Sequence, residues 1–191
     1  MVAAGTGTYL THMERTCVGL VVSTLALAVA LPFAHAELGL LQRFEGRYVF
    51  AGGAAETRRV ERAIDEVVDR LNLFIREIAR GEIRRSIRPE PSIELHALGR
   101  DRLRFSFGDW GPLEVSLDNR PRVVRGPDGS DTRLRGTVSG QRIVLVQDSS
   151  RGRRTNWLSL GPEDRWLHLQ VAVGADQLPE DIRYSLSYRR R

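Results

Sequence analysis

The stretch Trp166-Leu167-His168-Leu169-Gln170-Val171-Ala172-Val173 places Leu167, Leu169, Val171 and Val173 on one side of an extended chain and Trp166, His168 and Gln170 on the other. A period of two marks a strand with one buried and one wet face. The alternation continues on both sides of this stretch. Downstream, Ile182, Tyr184, Leu186 and Tyr188 alternate with Arg183, Ser185 and Ser187. Upstream, it recurs at Ile93/Leu95/Ala97, Leu103/Phe105/Phe107, Leu113/Val115/Leu117 and Leu134/Gly136/Val138, with further strands at 141–147 and 153–160. Turn residues separate these runs, among them Gly99-Arg100-Asp101, Asp109-Trp110-Gly111-Pro112, Gly126-Pro127-Asp128-Gly129 and Gly161-Pro162-Glu163-Asp164. Short strands joined by such turns predict an antiparallel meander. Counting one more strand at Arg47–Phe50 gives about nine, and a sheet that wide with one apolar face curls into a strongly curved sheet or barrel.

Between the first strand and the meander lies one helical signal, over residues 55–80. Val60, Ala63, Ile64, Val67, Leu71, Phe74, Ile75, Ile78 and Ala79 recur at steps of three and four, and charged residues occupy the other side. This predicts a single long amphipathic helix with Arg62–Glu66 and Glu66–Arg70 pairs and a stop at Gly81. Its apolar stripe has to bury itself against the concave face of the sheet. The fold class is therefore mainly β (α+β).

The hairpin 153–173 carries the clearest candidate site. If the Gly161–Asp164 turn pairs Leu160 with Arg165, Leu158 stands beside Leu167, Asn156 beside Leu169 and Arg154 beside Val171. Arg154 and Asn156 then point inward and Trp157 outward beside His168. A slip of one residue would reverse all of these faces. An inward Arg and Asn need partners, because unpaired burial is costly. A carboxylate or phosphate head group would be such a partner. Phe105, Phe107 and Tyr184 complete the candidate ligand-binding set as apolar or aromatic wall.

Phe44-Glu45-Gly46-Arg47-Tyr48, with its glycine and aromatic opening the first strand, resembles the start of a calycin barrel. Strand, helical insert, then meander is similar to the order in the lipocalin and fatty-acid-binding-protein group. In fatty-acid-binding proteins the insert also follows the first strand, as a pair of short helices rather than one. The resemblance implies a small hydrophobic ligand inside the barrel.

Bulk properties narrow the function classes. Met13-Glu14-Arg15-Thr16, the apolar run Cys17–Leu31, Pro32 and Ala34-His35-Ala36 follow the order of a secretory signal peptide. The expectation is translation from Met13, with residues 1–12 an extension outside the signal. Cleavage after Ala36 would leave one β-rich domain, 37–191, periplasmic or extracellular and without a stable membrane anchor. The sole cysteine, Cys17, lies in the signal, so disulfides, thiolate catalysis and Cys–metal sites are not expected. All 29 basic residues are Arg, against 24 acidic ones, for a net charge of +5. This even spread reads as a codon-composition effect rather than an anion-binding surface, and export argues against a nucleic-acid partner.

There is no phosphate loop, no G-x-S-x-G elbow and no H-E-x-x-H, so no enzyme, cofactor or metal is expected. His96 and His168 fall on the wet faces of their strands. Asp109-Trp110 reads as a turn that could double as a binding loop. The functional expectation is a protein that binds a small apolar or amphiphilic ligand between sheet and helix. The alternative is a non-catalytic structural or interaction protein whose helix fills the core. The sequence sets no oligomeric state.

Overall fold

The computed structural model describes residues 39–107, 111–126 and 129–191. The signal-peptide and Met13 expectations, and the Asp109-Trp110 loop, lie outside the described residues.

Ten strands form one antiparallel sheet: β1 (Gly46–Phe50), β2 (Ser92–Ala97), β3 (Arg102–Phe107), β4 (Leu113–Ser116), β5 (Arg122–Arg125), β6 (Asp131–Ser139), β7 (Arg142–Ser149), β8 (Gly152–Leu160), β9 (Trp166–Gly174) and β10 (Ile182–Arg190). Their spatial order is β4-β3-β2-β1-β10-β9-β8-β7-β6-β5. The strand missed in the sequence is β5. It has four residues, and Val124 is its only partly buried apolar position, so it shows no alternation to read.

The two ends of the sheet nearly meet. β4 and β5 do not pair, but the chain leaving β4 bridges to β6 at Asp118 and Thr137, and Asn119 N–H donates to Gly136 O at 2.8 Å. Gly136 makes this approach possible. A Cβ there would lie 2.7 Å from Leu117 Cδ2 and 3.1 Å from the Ser116 carbonyl. The result is a nearly closed barrel, and inward residues such as Leu95, Leu103, Leu134, Leu145, Leu158 and Leu167 are fully buried in it.

Residues 39–44 form the short helix α1, which closes one end with Leu41 and Phe44. The other end carries the helical insert between β1 and β2. Here the structure corrects the sequence reading. The insert is two helices, α2 (Gly53–Val68) and α3 (Leu73–Ser86). Asn72 interrupts the helix: its backbone is extended, and its side chain accepts a hydrogen bond from Phe74 N at 3.1 Å, capping α3. Apolar residues flank the break at helical spacing, so the stripe reads as continuous although the backbone is not. Gly81 does not stop the helix, which runs on to Ser86.

Only α2 buries its stripe, through Val60, Ile64, Val67 and Val68. It covers the half of β10 that extends beyond the short β1. There the Glu56 carboxylate accepts hydrogen bonds from Ser187 N (2.7 Å) and Ser187 Oγ (2.8 Å), satisfying a strand edge that β1 does not reach. α3 buries no residue, and Leu73, Phe74, Ile75 and Ile78 face solvent. Its polar face is held to α2 by ion pairs instead, including Arg80–Asp69 at 2.7 Å and Arg84–Glu61 at 2.8 Å. Arg70, expected to pair with Glu66, forms an ion pair with Glu180 at 2.8 Å.

Candidate functional site: a polar lane on the inner wall

The site is built on the barrel half that faces the helical insert. β8 and β9 pair Leu160 with Leu167, Leu158 with Leu169, Asn156 with Val171 and Arg154 with Val173. The register is displaced by two residues from the expected one, because the turn through Pro162–Asp164 takes up two more residues. A slip of two keeps every face, so Arg154 and Asn156 do point inward. Trp157 points outward, beside Gln170 rather than His168. His96 and His168 are exposed, as their alternation predicts.

Asn156 is fully buried, and its Oδ1 accepts from Arg154 Nε at 3.1 Å. Across the sheet, Gln147 on β7 pairs with Arg154, and Asn156 and Tyr184 flank Val171 from its two sides. Thr132 on β6 and Gln147 are both buried and extend the lane. These two residues escaped the sequence reading. The signal for Thr132 was present, since it lies two residues before the inward Leu134. Gln147 lies two residues after Leu145 in the same way.

The lane has unmet hydrogen-bonding capacity. Asn156 Nδ2 and the Tyr184 hydroxyl are buried without a hydrogen-bond partner. Among the described residues no carboxylate lies within ion-pair distance of Arg154. Each buried donor left unsatisfied costs about 1–3 kcal/mol. Native proteins rarely carry such groups without a ligand, water or function to account for them. Burial raises the Tyr184 pKa above its ordinary value, the positive charge of Arg154 opposes this, and Glu90 adds to it. The buried Tyr188 is raised as well, again mainly by burial. Both phenols are therefore neutral donors at physiological pH. Guanidinium, amide N–H and phenol O–H brought together on the inner wall can accept an anion.

The structure brings Arg154, Asn156 and Tyr184 together. It does not bring Phe105 and Phe107 to them. Those rings lie 5.2 Å apart on β3, which is five strands from β8 and so halfway round a ring of ten. They form the opposite, apolar wall.

No protein-family model matches this chain. No curated protein sequence matches it either. Solved structures do. Lipid binding protein 8 of Caenorhabditis elegans, in its apo form, superposes with a TM-score of 0.50 at 16% identity, covering 78% of this chain and 96% of the other. A heat-soluble (SAHS) protein of Ramazzottius varieornatus gives a TM-score of 0.50 at 10% identity, covering 78% and 96%. The fold is thus a calycin-like, nearly closed antiparallel barrel with a pair of helices inserted after the first strand. At these identities the likeness concerns the fold.

Proposed function

We propose that this chain is an exported, non-catalytic carrier of a small amphiphile. The tail lies against the apolar wall that includes Phe105 and Phe107, and an anionic head group, carboxylate or phosphate, meets Arg154, Asn156 and Tyr184. The observation that carries this reading is the pair of buried, partnerless donors, Asn156 Nδ2 and the Tyr184 hydroxyl, beside Arg154, which has no carboxylate within ion-pair distance among the described residues. A head group supplying two or three acceptor oxygens would satisfy them together. One neighbour is named as a lipid-binding protein, and a barrel of this type can enclose a ligand. Export rests on the signal-like order of residues 13–36.

A second reading is an interaction protein with a filled core. The burial of the α2 stripe and the packing of Tyr48, Tyr188 and Phe44 favour it. Native mass spectrometry of protein purified from its own host separates the two. Carrier function predicts a co-purifying anionic amphiphile that is lost on delipidation. A single bare mass from a host-derived preparation would favour the filled core.

A further inference from the structure

Asn156 and Trp157 are consecutive, so they serve opposite sides of the same wall. On the outside, Trp157, Gln170 and Ser185 lie in one row across β8, β9 and β10. Arg142 on β7 and Arg183 on β10 flank this row. Together with the Val171 and Tyr184 positions they line a depression of about 320 Å³ open to solvent. Val144, the cross-strand neighbour of Trp157, also faces outward yet is buried. The tryptophan therefore belongs to a packed outer patch and is not a free surface side chain.

We propose that this depression on the outer face of the wall is a second binding site, for a single pyranose ring carrying a carboxylate or phosphate. Ligand pockets run from roughly 300 to 1,000 Å³, so this one is at the small end, a size that suits a single ring. An indole face offers an apolar platform for the C–H face of a sugar. The Gln170 amide and Ser185 hydroxyl supply both donors and acceptors for ring hydroxyls. The two arginines differ in a way that orients the ligand. Arg183 already has a counter-ion, with Nη2 3.1 Å from Asp181 Oδ2. Arg142 has no carboxylate within ion-pair distance among the described residues. The anionic substituent therefore lies at the Arg142 end, where a charge-assisted bidentate contact is still available.

The test is a titration of the full chain followed by proton–nitrogen correlation spectra, with the Trp157 indole signal assigned through Trp157→Phe. Glucuronate, glucose 6-phosphate, glucose and inorganic phosphate are the probes. The expected result is saturable shifts at Trp157, Gln170 and Ser185 with both sugar acids, with Kd on the order of millimolar. Glucose should bind roughly tenfold more weakly, and Arg142→Ala should weaken the sugar acids by about the same factor, as expected for one lost charge-assisted contact. Arg183→Ala should have a smaller effect, and prior loading of the interior with dodecanoate should have none. Four outcomes would overturn the proposal: no shifts with any sugar; equal response to glucose and glucuronate; inorganic phosphate reproducing the whole effect; or indifference to Arg142→Ala. None of them bears on the interior site.

Discussion

The Arg190 guanidinium lies 5.2 Å from the centre of the Tyr48 ring and donates to the Tyr48 hydroxyl through Nη2 at 2.7 Å. This joins the first strand to the last and gives a physical meaning to the Gly46-Arg47-Tyr48 opening. The Tyr48 hydroxyl in turn donates to Phe44 O at 3.0 Å, and Arg190 also donates to Arg43 O. Arg43 grips Asp164 with two hydrogen bonds of 2.9 and 2.8 Å. Helix α1 is thus tied both to β10 and to the β8–β9 turn. Gly46 has to be small and permissive here. Its φ is +145°, and a Cβ would come within 3.3 Å of Arg190 Nε. Gly46→Ala should cost about 1–3 kcal/mol, the usual range for backbone strain of this kind. It should lower the urea midpoint while leaving the slope unchanged.

The same turn holds a removable strain. Glu163 has a φ of 56° and is exposed, with only a solvent-facing contact to Arg165 at 3.2 Å. A left-handed conformation costs a residue with a Cβ roughly 1–2 kcal/mol, and an exposed ion pair returns little. Glu163→Gly should therefore raise the thermal midpoint, by up to about 3 °C for a chain of this size.

The polar lane should trade stability for binding. Replacing Arg154 by Met and Asn156 by Leu together removes both hydrogen-bond partners and the orphan amide. Exchange of a buried polar pair for apolar residues of similar volume is often neutral or stabilising. The double variant should match or exceed the wild type in urea denaturation. It should also lose selectivity for anionic over neutral amphiphiles.

Alkaline stability follows from the phenols. Tyr184 and Tyr188 have pKa values raised in the folded state, chiefly by burial. Their contribution is fully present below the ordinary tyrosine pKa of about 10 and is lost as pH rises toward the folded values. Absorbance titration should show these tyrosinates appearing together with unfolding above about pH 10 and not before it. Tyr184→Phe should flatten that limb. On the acid side, the hydrogen bonds from Arg43 hold the Asp164 carboxyl below its usual range. The small contribution of this exposed pair is present above about pH 4 and fades as pH falls through the lowered value.

The wall of the barrel was legible in the sequence because period-two alternation directly encodes which face is wet. It identified Arg154 and Asn156 as inward even though the assumed turn was two residues too short, since an even slip preserves faces. The helical insert was less legible. A helical period survives a short interruption, so Leu71 and Phe74 read as one stripe although Asn72 caps a new helix between them. Periodicity also does not tell which way an apolar face turns. In α3 it turns outward, because Arg80 and Arg84 reach Asp69 and Glu61 on α2. The opposition of Phe105 and Phe107 to the polar lane depends on strand order around the nearly closed barrel, which no local pattern records.

The central claim is that the barrel holds an amphiphile by its charged head. Isothermal titration calorimetry of the delipidated chain with dodecanoate and with dodecanol tests it directly. The account predicts saturable binding of dodecanoate, roughly 10–100-fold tighter than dodecanol, as charge-assisted hydrogen bonds would give. It also predicts collapse of that preference in the Arg154→Met, Asn156→Leu double variant. Failure of both ligands to bind, or equal affinities that the double variant leaves unchanged, would contradict it.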